Sequence, residues 1–270
     1  GGGRSNPNAP RRGSDIQTNI YISFEEAAKG CKKTVEFQKI EVCDECSGSG
    51  AAKGSSPQTC PDCNGRGQIN VQQRTPFGTI STSKPCQRCG GKGTFNSNPC
   101  TRCKGAGRIR RTVKQEITIP AGIDDEQTIR VAGEGEAGLN GGPSGDLLIK
   151  VYVKKHDVFV RDGNDIYVEL PLTFSQAALG TTIEVKTLSG AVILKVPAGT
   201  QHGTKFKLSG KGIASKVNNR TGNQYVIAKV ITPSNLSSKQ KELFTELEKT
   251  DETKGNKVFD KIKNFFKIKK

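Results

Sequence analysis

Eight of the nine cysteines fall in four C-x-x-C-x-G-x-G units, Cys43 to Gly50, Cys60 to Gly67, Cys86 to Gly93 and Cys100 to Gly107. A C-x-x-C turn presents two thiolates to one metal, and zinc takes four tetrahedral ligands, so two such turns complete a closed structural site. The glycines that follow permit positive φ and close backbone approach, which lets N–H groups point at the sulfurs and offset their charge. One C-x-x-C is weak evidence; four with glycine at the same offsets are strong. Disulfides suit an even cysteine set in a secreted chain, but the start, Gly1-Gly2-Gly3-Arg4, resembles no secretory signal. A thioredoxin-like dithiol sits once, at the head of a helix in a βαβ unit, so thiol–disulfide exchange stands only as a minor alternative. Cys31, outside every unit, reads as a buried or incidental free thiol.

Which turns share a metal follows from the chain between them. Residues 68–84 alternate apolar and polar side chains around Thr75-Pro76-Phe77-Gly78, the pattern of a β-hairpin. A hairpin returns the chain to its start, which joins the second unit to the third and leaves the first to meet the fourth. The nested expectation is therefore one zinc on Cys43, Cys46, Cys100 and Cys103 and a second on Cys60, Cys63, Cys86 and Cys89. Sequential pairing, first with second and third with fourth, is the alternative.

The flanking chain is duplicated, and that sets the elements holding the metal. Ile119-Pro120-Ala121-Gly122 returns as Val196-Pro197-Ala198-Gly199, and the helical turn at Phe24 to Gly30 returns at Phe174 to Gly180. Each copy is a short helix with several alternating strands, which predicts a small β-sandwich. In the second copy the halves nearly touch; in the first, residues 43–107 intervene. The expected fold is mainly β, with two tandem β-sandwich domains, the first interrupted by an elongated two-zinc, cysteine-rich β-hairpin module. The expected domains are a Gly-rich linker end over 1–13, a first β-domain over 14–42 and 108–156, the zinc module over 43–107, a second β-domain over 157–234, and a helical segment over 235–270. Within that last segment Ser237 to Gln240 forms a capping box, and Leu236, Gln240, Leu243, Phe244 and Leu247 share a helical face. Val258, Phe259, Ile262, Phe265 and Phe266 then make an apolar stripe in a basic setting. It suits self-association better than a membrane surface.

The chain has 270 residues, 32 of them glycine, with no Trp and no Met, and aromatic residues make up only 6%, which favours short strands and turns over a large helical core. The missing Met reads as the mark of a piece of a longer protein. A formal charge of +16 invites a nucleic-acid reading, and Arg66, Arg88, Lys92, Arg102, Lys104 and Arg108 flank the cysteines. Against it, the module holds only Phe77 and Phe95 for stacking, and the lysines are spread along the chain as solvated faces. No Ser-His-Asp ordering, P-loop or open metal position points to an enzyme. His156 and His202, the only histidines, read as ordinary surface residues.

These features together resemble the DnaJ-type co-chaperones of the class that carries a cysteine-rich zinc domain, over nearly the whole chain from about Gly13 onward. The resemblance implies a cytoplasmic protein that binds unfolded or misfolded polypeptides, prevents their aggregation and presents them to a DnaK-type ATPase. It also implies two structural zinc ions and a homodimer joined through Val258, Phe259, Ile262, Phe265 and Phe266. That family's J domain carries a His-Pro-Asp tripeptide, which does not occur here; stimulation of the ATPase is expected to be lost. Carried over by position, the client groove would include Ile16, Val35, Phe37 and Phe159. Another groove position falls on the polar Gln115, for which nearby Ile117 can substitute. Plain core packing is the competing reading for all of these. No membrane partner is expected, nor any nucleic acid.

Overall fold

The alternating strands and the two capped helical turns appear where the repeat places them in a computed structural model of the chain. It describes residues 9–75, 78–215 and 220–250. In chain order the first half holds β1 (Ile16–Ile22), α1 (Phe24–Lys29), β2 (Cys31–Val42), β3 (Gln58–Thr59), β4 (Gln68–Thr75) and β5 (Gly78–Pro85). There follow β6 (Thr94–Phe95), β7 (Arg108–Ile119), β8 (Thr128–Val131) and β9 (Leu147–Val153). The second half holds β10 (Val160–Asp162), β11 (Asp165–Thr173), α2 (Phe174–Leu179), β12 (Thr181–Thr187) and β13 (Gly190–Val196). It ends with β14 (Lys205–Leu208), β15 (Ala214–Ser215), β16 (Arg220–Thr221), β17 (Gln224–Ile231) and α3 (Ser238–Thr250).

The first β-domain is two sheets face to face. One has the order β1-β9-β8, with β1 parallel to β9; the other is the antiparallel ladder of β2 and β7. Strand periodicity fills the space between them, because alternate residues of a strand share a face. Leu147, Ile149 and Val151 come from β9, Val35 and Phe37 from β2, and Ile117 and Ile119 from β7; all are buried together with Ile22, Ala27 and Ile123. The β2–β7 ladder starts at Cys31 opposite Ile119 and runs to Val42 opposite Arg108. Cys43 follows directly on one side and Gly107 precedes on the other, so the zinc module grows from the end of this ladder.

The duplication is visible bond by bond. Ser23 and Thr173 cap α1 and α2 with capping boxes closed by Glu26 and Gln176. Gly30 and Gly180 end the helices at φ of 77° and 82°, and a Cβ at Gly30 would stand 2.9 Å from the Ile119 carbonyl oxygen. The β12–β13 hairpin is the counterpart of β2–β7, with Thr181 opposite Val196 and a tight turn from Thr187 to Gly190 where the first copy carries its module. The sheet of order β10-β11-β17-β14 belongs to this half.

The chain divides into two compact units, Gly1–Ile166 with Ser209–Gln224, and Tyr167–Leu208 with Tyr225–Lys270. The connection after β9 therefore goes with the first unit, and so does the excursion around β15 and β16. Backbone bonds explain the latter: the Ile213 N–H donates to the Asn164 carbonyl, and the Asn223 N–H to the Asp165 carboxylate. In the second unit, α3 is capped as expected by the reciprocal Ser237–Gln240 pair. Its Leu243, Phe244 and Leu247 line an open apolar groove of about 670 Å³ with Phe174, Leu179 and Ile231. The stripe from Val258 to Phe266 lies outside the described residues.

Candidate metal centre

Each cysteine group is assembled from two knuckles that arrive from opposite directions. The end of the β2–β7 ladder delivers Cys43 and Cys46 opposite Cys100 and Cys103. The β4–β5 hairpin carries Cys60 and Cys63 round to Cys86 and Cys89, its ladder running from Gln68 opposite Pro85 to Thr75 opposite Gly78. The nested pairing is thus the observed geometry, and sequential pairing is not. In each group the four sulfurs lie within 4.8 Å of one another. Cys43 and Cys100 are 3.9 Å apart, Cys46 and Cys103 3.7 Å, and both Cys60–Cys86 and Cys63–Cys89 3.8 Å. Tetrahedral zinc–sulfur bonds of about 2.3 Å require sulfurs about 3.8 Å apart, so the donor set fits zinc in number, type and spacing. Two zinc ions per chain are the cofactors these groups hold.

The last glycine of each unit has two tasks. The backbone N–H of the last glycine donates to the second cysteine of its own knuckle: Gly50 to Cys46, Gly67 to Cys63, Gly93 to Cys89 and Gly107 to Cys103, at 3.2–3.3 Å. The same glycine also packs on the opposite knuckle. A Cβ on Gly107 would lie 2.3 Å from the Gly48 carbonyl oxygen, and one on Gly50 2.4 Å from that of Gly105; Gly67 and Gly93 repeat this against Gly91 and Gly65. Reciprocal bonds lock the knuckles together, with Cys43 N–H donating to the Gly107 carbonyl and Cys100 N–H to that of Gly50. Burial by itself raises the thiols of Cys46 and Cys89, but the N–H groups of Gly50 and Gly93 and the neighbouring sulfurs outweigh it and bring both to about 7. A thiol lowered in this way gives up its proton readily to a dication.

Sequence reading missed two features of the module. The residue after each second cysteine is left-handed, with φ of 48° at Ser47, 49° at Asn64, 59° at Gly90 and 51° at Lys104. Its identity varies, so no motif marks it. Cross-knuckle ion pairs were also missed: Arg88 meets Asp62 and Arg102 meets Asp44, each at 3.0 Å. Arg88 also lies over the Phe95 ring, and Arg108 donates to the Ala137 carbonyl. These three cations, counted from sequence among those open to a nucleic acid, have partners within the chain.

The residues assigned to a groove separate into two places. Val35, Phe37 and Ile117 are buried in the first domain's core, with Ile16 partly buried against them. Phe159 lies instead on α1, stacked on Phe24 with centroids 6.0 Å apart and tilted against the His156 ring at 4.7 Å. His156 is no ordinary surface residue: it is held on both ring nitrogens, by Glu25 on one and by backbone N–H groups on the other. Among the described residues no helix is long and apolar enough to cross a membrane.

Comparison with known proteins agrees with this geometry. The family model for the DnaJ C terminal domain matches residues 16–233. Among curated relatives, the "Chaperone protein DnaJ" of Halalkalibacterium halodurans is 48% identical over 271 residues, covering 99% of this chain and 73% of the relative. That of Bacillus licheniformis is 50% identical over 276 residues, and that of Listeria monocytogenes serotype 4a is 47% identical over 275.

Proposed function

Because the chain belongs to the DnaJ C-terminal domain family, we propose that its chaperone role is to bind unfolded or misfolded polypeptides in extended form, keep them from aggregating and present them to a DnaK-type ATPase. The observation that carries this reading is the pair of strand edges on the first β-domain. Among the described residues β1 pairs only with β9, and β2 only with β7. An extended segment can add to such an edge by backbone hydrogen bonds while one of its side chains enters an apolar recess. Ile16, half-buried over Val35, Phe37 and Ile117, is the contact for that side chain on the sheet, and half-buried Phe159, stacked on Phe24 of α1, is a second contact point. The zinc module serves as a rigid arm, not a reactive centre, since its sites close on four sulfurs with no position left for substrate. The protein holds substrates and does not transform them, and we place it in the cytoplasm. It works as a homodimer joined through Val258, Phe259, Ile262, Phe265 and Phe266; deleting residues 251–270 should then halve the mass in solution.

The test is suppression of aggregation of a chemically denatured client, without ATP. Ile16→Asp and Phe159→Ser should each weaken protection several-fold with both zinc ions retained. Variants that keep their zinc and protect as well as the parent would remove the groove from this surface. Substitution of Val35, Phe37 or Ile117 is uninformative about clients, because loss of the core is expected first.

A further inference from the structure

The segment after β9 carries a histidine whose bonds fix its chemistry. Nδ1 of His156 lies 3.0 Å from the Val158 nitrogen and 2.9 Å from the Phe159 nitrogen, and both N–H groups donate to it. A ring nitrogen that accepts carries no proton, so the proton of the neutral ring sits on Nε2. Nε2 lies 3.1 Å from the Glu25 carboxylate, the charged group that faces the ring from α1. The ring itself is packed between Phe24, at 5.5 Å, and Phe159. Five residues beyond, Arg161 donates to the carbonyls of Gly122 and Ile123 and pairs with Asp124. Residues 156–161 are thus a strap fastened at both ends to the first domain, with Phe159 between the fastenings.

We propose that His156 is a positioning residue that holds Phe159 against α1 and lets go when protonated, while Arg161 is the second fastening of the strap. This rests on the reading above that Phe159 meets the client. Protonation puts a hydrogen on Nδ1, facing two N–H donors that then have no acceptor. It also turns the Glu25 contact into an ion pair, but that carboxylate is about half exposed, and exposed pairs return little. Two stranded donors outweigh one screened pair. Of the other charged groups, Lys155 and Asp157 adjoin His156 in the chain, and Lys154 is anchored to β1, its N–H donating to the Ile22 carbonyl.

Asparagine separates the roles, since its side-chain oxygen can accept from the same N–H groups but does not titrate. Hydrogen exchange at the Val158 and Phe159 amides, followed by NMR on the zinc-loaded chain, is compared at each pH among the parent, His156→Asn and His156→Ala. At pH about 8 the parent and His156→Asn should be protected alike and His156→Ala exchange about fivefold faster or more, the loss of one to two hydrogen bonds. At pH about 5 the parent should join His156→Ala while His156→Asn stays protected. Nitrogen shifts of the imidazole, with His202→Gln removing the only other histidine, should show the Nε2–H form at the higher pH. A parent that tracks His156→Asn throughout, or an Nδ1–H ring, overturns the catch. Client affinity should fall in His156→Ala and hold in His156→Asn; amides that respond while affinity does not would instead refute Phe159 as a client contact, and with it the positioning role.

Discussion

Gly48 and Gly107 both sit at positive φ, 87° and 76°, and a sequence motif writes them with the same letter. Their surroundings differ. A Cβ at Gly48 would meet only the tip of Val42, at 3.3 Å, whereas one at Gly107 would meet a backbone carbonyl of the opposite knuckle at 2.3 Å. Gly48→Ala should therefore cost roughly the left-handed penalty of 1–2 kcal/mol and keep two zinc ions. Gly107→Ala adds an overlap that only separating the knuckles can relieve, so its zinc content should fall from two to one, read by metal analysis. Equal zinc content in the two variants would refute the division of tasks. The glycine offsets were legible in sequence because every knuckle needs them. The left-handed Ser47, Asn64 and Lys104 were not, because three different side chains accept the same backbone conformation there. His156 was misread for a related reason, as its partners are backbone N–H groups that no residue letter records.

At the scale of elements, the stretch read as the end of a flexible linker is partly built into the first domain. Arg11 bridges Leu139, the Gly13 N–H donates to the Pro143 carbonyl, and Arg12 reaches Asp146 at 2.8 Å. Asp146 is buried and also takes Arg130 and the Gly133 N–H, so one carboxylate ties the incoming segment, β8 and the loop before β9. The Gly133 N–H first, then the guanidiniums of Arg130 and Arg12, hold its carboxyl below the usual range. A depressed carboxyl contributes stability above its unfolded pKa and loses it as pH falls through the folded value. Asp146→Asn should therefore melt a few degrees below the parent from neutral pH down to about 4, the ordinary aspartate value, and the gap should close below it. A gap that persists in stronger acid would mean the carboxylate's charge is not what holds the segment. Composition hid this strap: a Gly-rich stretch with three arginines reads as linker until the buried aspartate more than a hundred residues away is known.

For the whole molecule, the duplicated Pro-Ala-Gly segments made two β-domains and an inserted module readable from sequence, since each repeat needs its own buried face. The parallel pairing of β1 with β9 and the return of residues 209–224 to the first unit were not readable, because neither leaves a local pattern. The inserted module differs from its host in what it buries. Among its described residues the buried ones are the eight cysteines, the last glycine of each unit and Ala51, with Ile69 and Ile109 only partly buried against the sulfurs. Among those residues nothing aliphatic and large replaces the metal, so zinc supplies the module's folding free energy, which for such sites is about 10 kcal/mol or more each. The first domain owes its stability to Leu147, Ile149, Val151 and their neighbours, which touch no ligand. Chelation should therefore unfold residues 43–107 alone. Amides of β4, β5 and β6 should lose exchange protection while those of β9 keep theirs, and thermal melting of the β-domains should survive in excess chelator. Loss of β9 protection along with the metal would show that the arm and its host fold as one unit.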